Sequence, residues 1–289
     1  MSDQWLQFVF NGLVTGGVLA LPAMAFSLLY GILRFPNFAI GSMITVGGFL
    51  AYAVNVTLGL PMVMAFLAAM VLTGFVGAGV DILAFRPLRG RRPLALAIVS
   101  IGVSFILENL VRFAWGNELR SYHLTVSRAT RWAGVLMGKE QLLILAVALL
   151  FMVLVQLLLR CTRMGKAMRA VADNPMLASV KGIDSEQVIR RTSYVGAALA
   201  GAAGVMVGID TTIEPLMGFK LILSIFAAAI LGGIGSAGAT MGGAIFVGLA
   251  EEVSMIWLPP TYKSAIGFGL IVLVLLFRPA GLFQRMRTP

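Results

Sequence analysis

Uncharged stretches long enough to cross a bilayer recur from one end of this 289-residue chain to the other. A helix rises 1.5 Å per residue, so about 20 apolar residues cover the roughly 30 Å hydrocarbon core of a membrane. Nine hydrophobic segments can be read, near residues 8–30, 38–56, 61–84, 94–115, 141–159, 193–209, 216–234, 240–258 and 264–277; the last is short and several contain Gly or Pro. Only 12% of the residues are charged and 59% are hydrophobic, with a mean hydropathy of +0.95. Soluble domains usually carry about 25% charged residues. A surface this poor in charge must face lipid. The sequence therefore predicts an all-α polytopic integral membrane protein, a single transmembrane domain over 1–289 with about 8–10 helices, some broken or re-entrant.

The formal net charge of +10 does not predict nucleic-acid binding, because the basic residues gather at the ends of apolar segments. Lys and Arg in such places mark the cytoplasmic side and meet anionic lipid head groups. With the N-terminus outside and every segment crossing once, Arg34, Arg86, Arg89, Arg91, Arg92, the set from Arg160 to Arg191, and Arg278, Arg285 and Arg287 fall inside. That is 15 of the 22 basic residues. Arg120, Arg128, Arg131, Lys139, Lys220 and Lys263 stay outside, and Arg112 lies within a span. The C-terminus and residues 160–191 are thus expected in the cytoplasm. One cysteine, Cys161, excludes an internal disulfide, and one histidine, His123, argues against a zinc site. The opening MSDQWLQFVFNG has no basic leader, so the first span is expected to remain in the mature protein.

The longest hydrophilic passage, 160–191, carries helical periodicity of its own. Met164, Ala167, Met168 and Val171 recur on one side, with Lys166 and Arg169 opposite. Asn174 can cap a second short helix that starts at Pro175, Leu177 and Val180 would share a face, and Gly182 offers a left-handed stop. Asp184 with Gln187 has the spacing of a capping box. Two short helices with apolar knobs either dock into a groove of another protein or lie on the membrane surface as amphipathic anchors. Spacing leaves both readings open.

Two further segments have the composition of interrupted helices. Residues 34–42 bring Pro36 and Asn37 into the start of a span, and 231–243 is glycine-rich between two apolar runs. Such a pair, one per half, points to the substrate path of a transporter; for 231–243 a tight interhelical turn explains the glycines equally well. Gly233, Gly235 and Gly238 match GxGxxG but lack the strand and acidic residue of a dinucleotide site, and there is no Walker A motif. Gly12/Gly16, Gly204/Gly208, Gly238/Gly242 and Ala197/Gly201 have the spacing of close helix contacts. Glu108 and Arg112 stand four apart within a span. They either neutralise each other as an intramembrane ion pair or relay a proton or substrate. Asp81 is expected to meet solvent or the Arg86 cluster, and Glu251 and Glu252 lie toward the outer surface.

The stretch RMGKAMRAVADNPMLASVKGID at 163–184 closely resembles the cytoplasmic loop of the branched-chain amino acid permeases, the LivH/LivM type of ABC importer subunit. The resemblance extends through Leu29-Tyr30-Gly31, Pro36-Asn37-Phe38-Ala39-x-Gly41, Arg86-Pro87-Leu88-Arg89, Leu107-x-Asn109, ILGGIGSAGATMGG and the terminal RPAGLF. It covers nearly the whole chain in order, and is nearer to LivH. It implies a bacterial inner-membrane importer. A second permease subunit (LivM-like or an identical copy) shares the pathway, two cytoplasmic ATPase subunits hold ATP and magnesium, and an extracytoplasmic binding protein delivers substrate. This chain then needs no cofactor or metal and is not itself an enzyme. On this resemblance Arg163, Met164, Gly165, Arg169, Ala172, Asp173, Asn174 and Gly182 couple to the ATPase, and Asn37, Gly41, Ser42, Thr45 and Ser236 lie along the substrate pathway.

One departure bears on the substrate. The family usually carries His or Gln after Asn-Phe-Ala, where this chain has Ile40, followed by Ser42 where an acid or small residue is common. A branched-chain or other hydrophobic amino acid fits the resemblance, and urea or a small carboxylate stays open. The rival classes are an ion-coupled secondary carrier, for which Glu108 is the one serious candidate, and an intramembrane enzyme, against which the lone histidine argues.

Overall fold

The computed structural model describes residues 2–123, 130–132, 135–277 and Gly281. Arg128, Arg278, Arg285, Arg287 and most of the terminal motif at 278–283 lie outside the described residues. Among the described residues the nine apolar segments become nine helices. The first three are α1 (Ser2–Leu33), α2 (Ala39–Tyr52) and α3 (Met62–Val80), followed by α4 (Pro93–Trp115) and α5 (Lys139–Cys161). Two short helices, α6 (Arg163–Asp173) and α7 (Pro175–Val180), fill the hydrophilic loop. Then come α8 (Ser185–Asp210), α9 (Met217–Gly232), α10 (Ala237–Ser254) and α11 (Lys263–Phe277). A two-stranded antiparallel ribbon, β1 (Thr130–Trp132) with β2 (Val135–Met137), lies between α4 and α5. Six helices are long and apolar enough to cross a membrane unaided; α9 and α11 are shorter.

The connections sort into two ends. At one end, Arg34 meets Ala172 (3.0 Å), Gly31 lies against Gly235, Arg89 pairs with Glu186 (2.5 Å), and Gly281 packs on Gly233. At the other, Trp5 stacks edge-on with Trp257 (5.5 Å), Gln7 bonds to the Leu136 backbone, and Arg120 bridges to Ile213. The first end holds the connections that the basic-residue bias assigns inside; the second holds those assigned outside.

The two segments expected to be broken differ. Residues 35–38 are irregular backbone covered by protein: Phe35 is fully buried against Phe85, and the Phe38 amide donates to Ser100 Oγ (3.1 Å) well inside α4. Buried irregular backbone is tolerable in a membrane only when partnered in this way. Residues 233–236, by contrast, form a tight turn between α9 and α10, with Gly233 and Gly235 at positive φ (110° and 89°). The interruptions absent from the sequence reading are π-helical turns at 53–57 and 81–85, which end the α2 and α3 spans. Neither contains the proline or glycine by which sequence flags a break.

α1, α2 and α8 form the centre, and small residues set their spacing. A Cβ at Gly12 or Gly16 would stand 2.8 Å from the backbone of Leu249 or Ile245 on α10. One at Gly201 would meet Thr73 at 2.7 Å, and Gly201 itself lies against Gly47 of α2. In lipid, where apolar burial supplies no drive between helices, such backbone approach and dispersion hold the bundle.

Candidate functional site

The loop between α5 and α8 is built by its caps. Thr162 accepts from the Gly165 amide (3.0 Å) to start α6, Asn174 from the Leu177 amide (3.0 Å) to start α7, and Asp184 from the Gln187 amide (3.1 Å) to start α8. Gly182 takes φ +80° after α7. The roles of Asn174, Gly182 and Asp184 are those expected from the sequence; the Thr162 cap is an addition.

Tertiary packing separates the two helices. Met168 and Val171 of α6 are buried with Ala178 and Val188, against Ile32 of α1 and Leu158 and Leu159 of α5. The apolar face of α6, expected to meet a partner or lipid, is thus turned onto its own bundle. Three contacts fasten it there. Arg169 donates to the Leu159 carbonyl, Arg34 donates to the Ala172 carbonyl (3.0 Å), and Gly165 lies so close to the Leu158 and Leu159 carbonyls that any Cβ would collide. Arg34 reaches Ala172 from a left-handed conformation (φ 55°) just past α1. On α7 the opposite holds: Met176, Leu177 and Val180 are all exposed. Arg163, Asp173 and Asn174 are exposed and Met164 is half-buried.

Beside this loop an ionic network joins α3 to α8. Asp81, wholly buried in the second π turn, accepts both oxygens' worth of contact from Arg89, which also pairs with Glu186 at the start of α8; Glu186 in turn meets Arg86 (3.1 Å). Hydrogen bonds to the two carboxylates hold the Arg89 guanidinium above its ordinary pKa, outweighing its partial burial. The expected meeting of Asp81 with the arginine cluster is with Arg89.

The residues expected along the pathway divide. Asn37, Ser42 and Thr45 are buried along α2, and Gly41 faces Gly218 of α9. Asn37 accepts from the Ala39 amide (3.0 Å), Ser42 donates to the Ala39 carbonyl (2.9 Å), and Thr45 accepts from the Gly218 amide (3.2 Å). Gly41 and Thr45 thus join α2 to α9 in a polar seam, while Asn37 and Ser42 bond locally to Ala39. Ser236 sits apart, on the α9–α10 turn, in a cavity of about 670 Å³ that also meets Gly31, Gln156, Arg160 and Arg169.

Glu108 and Arg112 lie one turn apart on α4, with Glu108 buried. They attract each other electrostatically, but no nitrogen–oxygen contact within ion-pair distance joins them among the described residues. The Arg112 Nε is buried without a partner. The contact pair expected from the spacing is therefore a through-space pair. His123 and Cys161 are exposed. Glu251 and Glu252 are buried, the first bonded to Ser224 (2.6 Å), the second to Thr15 (2.9 Å) and Lys263.

Residues 8–275 match the family described as branched-chain amino acid transport system / permease component. The chain belongs to this permease family. It is 34% identical over 295 residues to the high-affinity branched-chain amino acid transport system permease protein BraD of Pseudomonas aeruginosa, covering 97% of this chain and 96% of that protein. It is equally identical over 303 residues to the LivH permease protein of Escherichia coli K12, covering 99% and 98%. An inward-facing metal-chelate type ABC transporter shares the fold, with a TM-score of 0.50 at 17% identity over 94% of this chain and 87% of that one.

Sequence reading of this permease missed Arg34, Asp81, Arg89 and Glu186 as parts of the loop's support. Their only signal was charge at span ends, which is common to every membrane protein. It missed equally that Met176 is the most exposed apolar side chain of α7, since spacing assigns a face without saying which neighbour covers it.

Proposed function

We propose that this permease imports branched-chain amino acids as the membrane subunit of an ATP-driven assembly. Its partners are a second permease (LivM-like or an identical copy), two ATPase subunits and an extracytoplasmic binding protein. ATP and magnesium belong to the ATPase subunits, and this chain supplies shape, charge and motion without covalent chemistry. The loop end faces the cytoplasm, in line with the 15 of 22 basic residues assigned to it.

The carrying observation is the split between α6 and α7. The exposed Met176, Leu177 and Val180 offer an apolar contact for an ATPase groove, while α6 is pinned to α1 and α5. A displacement received at α7 would pass through Gly182 and the Asp184 cap into α8, and through α6 into α1. α8 lies against α2 at Gly47–Gly201, so its shift bears on the seam of Gly41 and Thr45. Packed interfaces of this kind move as rigid bodies between discrete arrangements.

Co-purification with the native neighbouring subunits tests the reading. Wild type is expected to retain the ATPase, and Met176→Glu/Val180→Glu to lose it while staying folded, because both side chains are exposed. Retention by the double variant would remove α7 as the contact. A well-folded wild type without any ATPase, whose uptake collapses with an uncoupler at constant ATP, would replace the importer by an ion-coupled carrier.

A further inference from the structure

At the end opposite the loop, α1, α8, α9 and α11 line a pocket of about 280 Å³, just below the roughly 300–1,000 Å³ of drug-sized ligand sites. Its polar lining carries both signs of charge: Asp210 and Glu214 with Lys220 and Lys263, besides Thr15 and Thr212. Lys220 pairs with Glu214 (2.5 Å), and Lys263 pairs with Glu252, which also accepts from Thr15 (2.9 Å). Asp210 makes no ion pair in contact among the described residues; Lys263 and Glu252 act on it only through space. The remaining wall is apolar, with Leu19, Leu221 and Met217. Beneath Met217, the next residue, Gly218, donates to Thr45 at the head of the α2–α9 seam.

We infer that this pocket receives the zwitterionic head group of an amino acid, with Asp210 holding its ammonium, Lys220 its carboxylate, and Leu19 and Leu221 its apolar side chain. The inference rests on the importer reading and locates a substrate station for it. A zwitterion presents both charges a few ångströms apart and suits a lining of two acids and two amines. A neutral solute or a simple anion would leave Asp210 without a contacting counter-charge, whereas an ammonium supplies one and the carboxylate beside it meets the donors left on Lys220. Each lysine ammonium has three donors and uses one on its carboxylate partner, so donors remain for a ligand. Among the described residues no hydrogen bond occupies the Asp210 carboxylate. One flexible thioether, Met217, lines the pocket and reaches Gly48 of α2.

The test is equilibrium binding of tritiated leucine to the purified importer complex without binding protein, alongside uptake driven by loaded binding protein in proteoliposomes. Losing a hydrogen bond to a charged group changes affinity about tenfold or more. Asp210→Asn is expected to weaken leucine by that factor and to abolish the wild-type preference for leucine over 4-methylpentanoate, which lacks the ammonium. Lys220→Met is expected to abolish the preference over leucinamide, which lacks the carboxylate. Asp210→Glu should restore part of the binding, and all variants should still co-purify with their partners. Leucine binding and analogue preferences unchanged in Asp210→Asn and Lys220→Met, with wild-type uptake intact, would overturn the pocket and leave the importer reading standing. An assembled wild type that takes up no amino acid would overturn both.

Discussion

Two helices flank the loop, and they invert the rule learned from soluble proteins. α5, which enters it, is the most hydrophobic of the six long helices, yet only 22% of its apolar window is buried. α8, which leaves it, is the least hydrophobic, and 83% is buried. In water the greasier helix would be the core. In lipid both environments are apolar, so hydrophobicity no longer sorts them, and the interior goes to the helix whose side chains let backbones come close. α8 repeats Gly and Ala from Gly196 to Gly208; α5 is a run of Leu and Val.

The comparison can be broken most severely at Gly204, which sits against the Ile44 carbonyl. Gly204→Val must separate α8 from α2, a cost beyond the roughly 1–3 kcal/mol of ordinary overpacking. Monodisperse protein in mild detergent is expected to be lost. Next comes Arg89→Gln, which strands the buried Asp81 carboxylate and should cost about 3–5 kcal/mol, read as a lowered Tm. Adding Asp81→Asn should recover most of that loss, which a simple packing defect would not allow.

Smaller effects belong to the loop and to the lipid face. Arg34→Ala removes one charged hydrogen bond to the Ala172 carbonyl, worth about 1.5–3 kcal/mol at most for a partly exposed site. Protease access to α6 is expected to rise while α1 and α5 stay protected. Least of all should come from Leu150→Val on α5, an exposed position. A change of one methylene between two apolar solvents should move Tm by no more than about 1 °C, within the ±0.5 kcal/mol of surface substitutions. A large effect there would mean that α5 faces a partner subunit, not lipid.

Much of the molecule was legible beforehand because the signals are local. Nine apolar segments became nine helices since span length is set by bilayer thickness. Thr162 went unread as a cap, but Asn174, Gly182 and Asp184 act as their side chains and spacing predicted, because capping involves only residues three or four apart. The candidate site was less legible. The α6 knobs read as either a docking face or a membrane anchor, and only the bundle reveals that Ile32, Leu158 and Leu159 already occupy that face. Glu108 and Arg112 have the spacing of an ion pair, yet no contact joins them among the described residues and the Arg112 Nε has no partner.

The sequence by itself determined that this chain lives in lipid, how many helices it forms, which connections share an end, and where each helix of the loop begins. These follow from composition, 1.5 Å per residue, charge at span ends and short-range hydrogen bonds. Tertiary structure alone decided which helices are central, which face of α6 is spent on its own bundle, that Asp81 closes on Arg89 eight residues away and on through Glu186, and that Asp210 and Lys220 open onto one pocket. Those outcomes depend on how backbones fit together at distances set by single glycines, and no one-dimensional pattern carries that information.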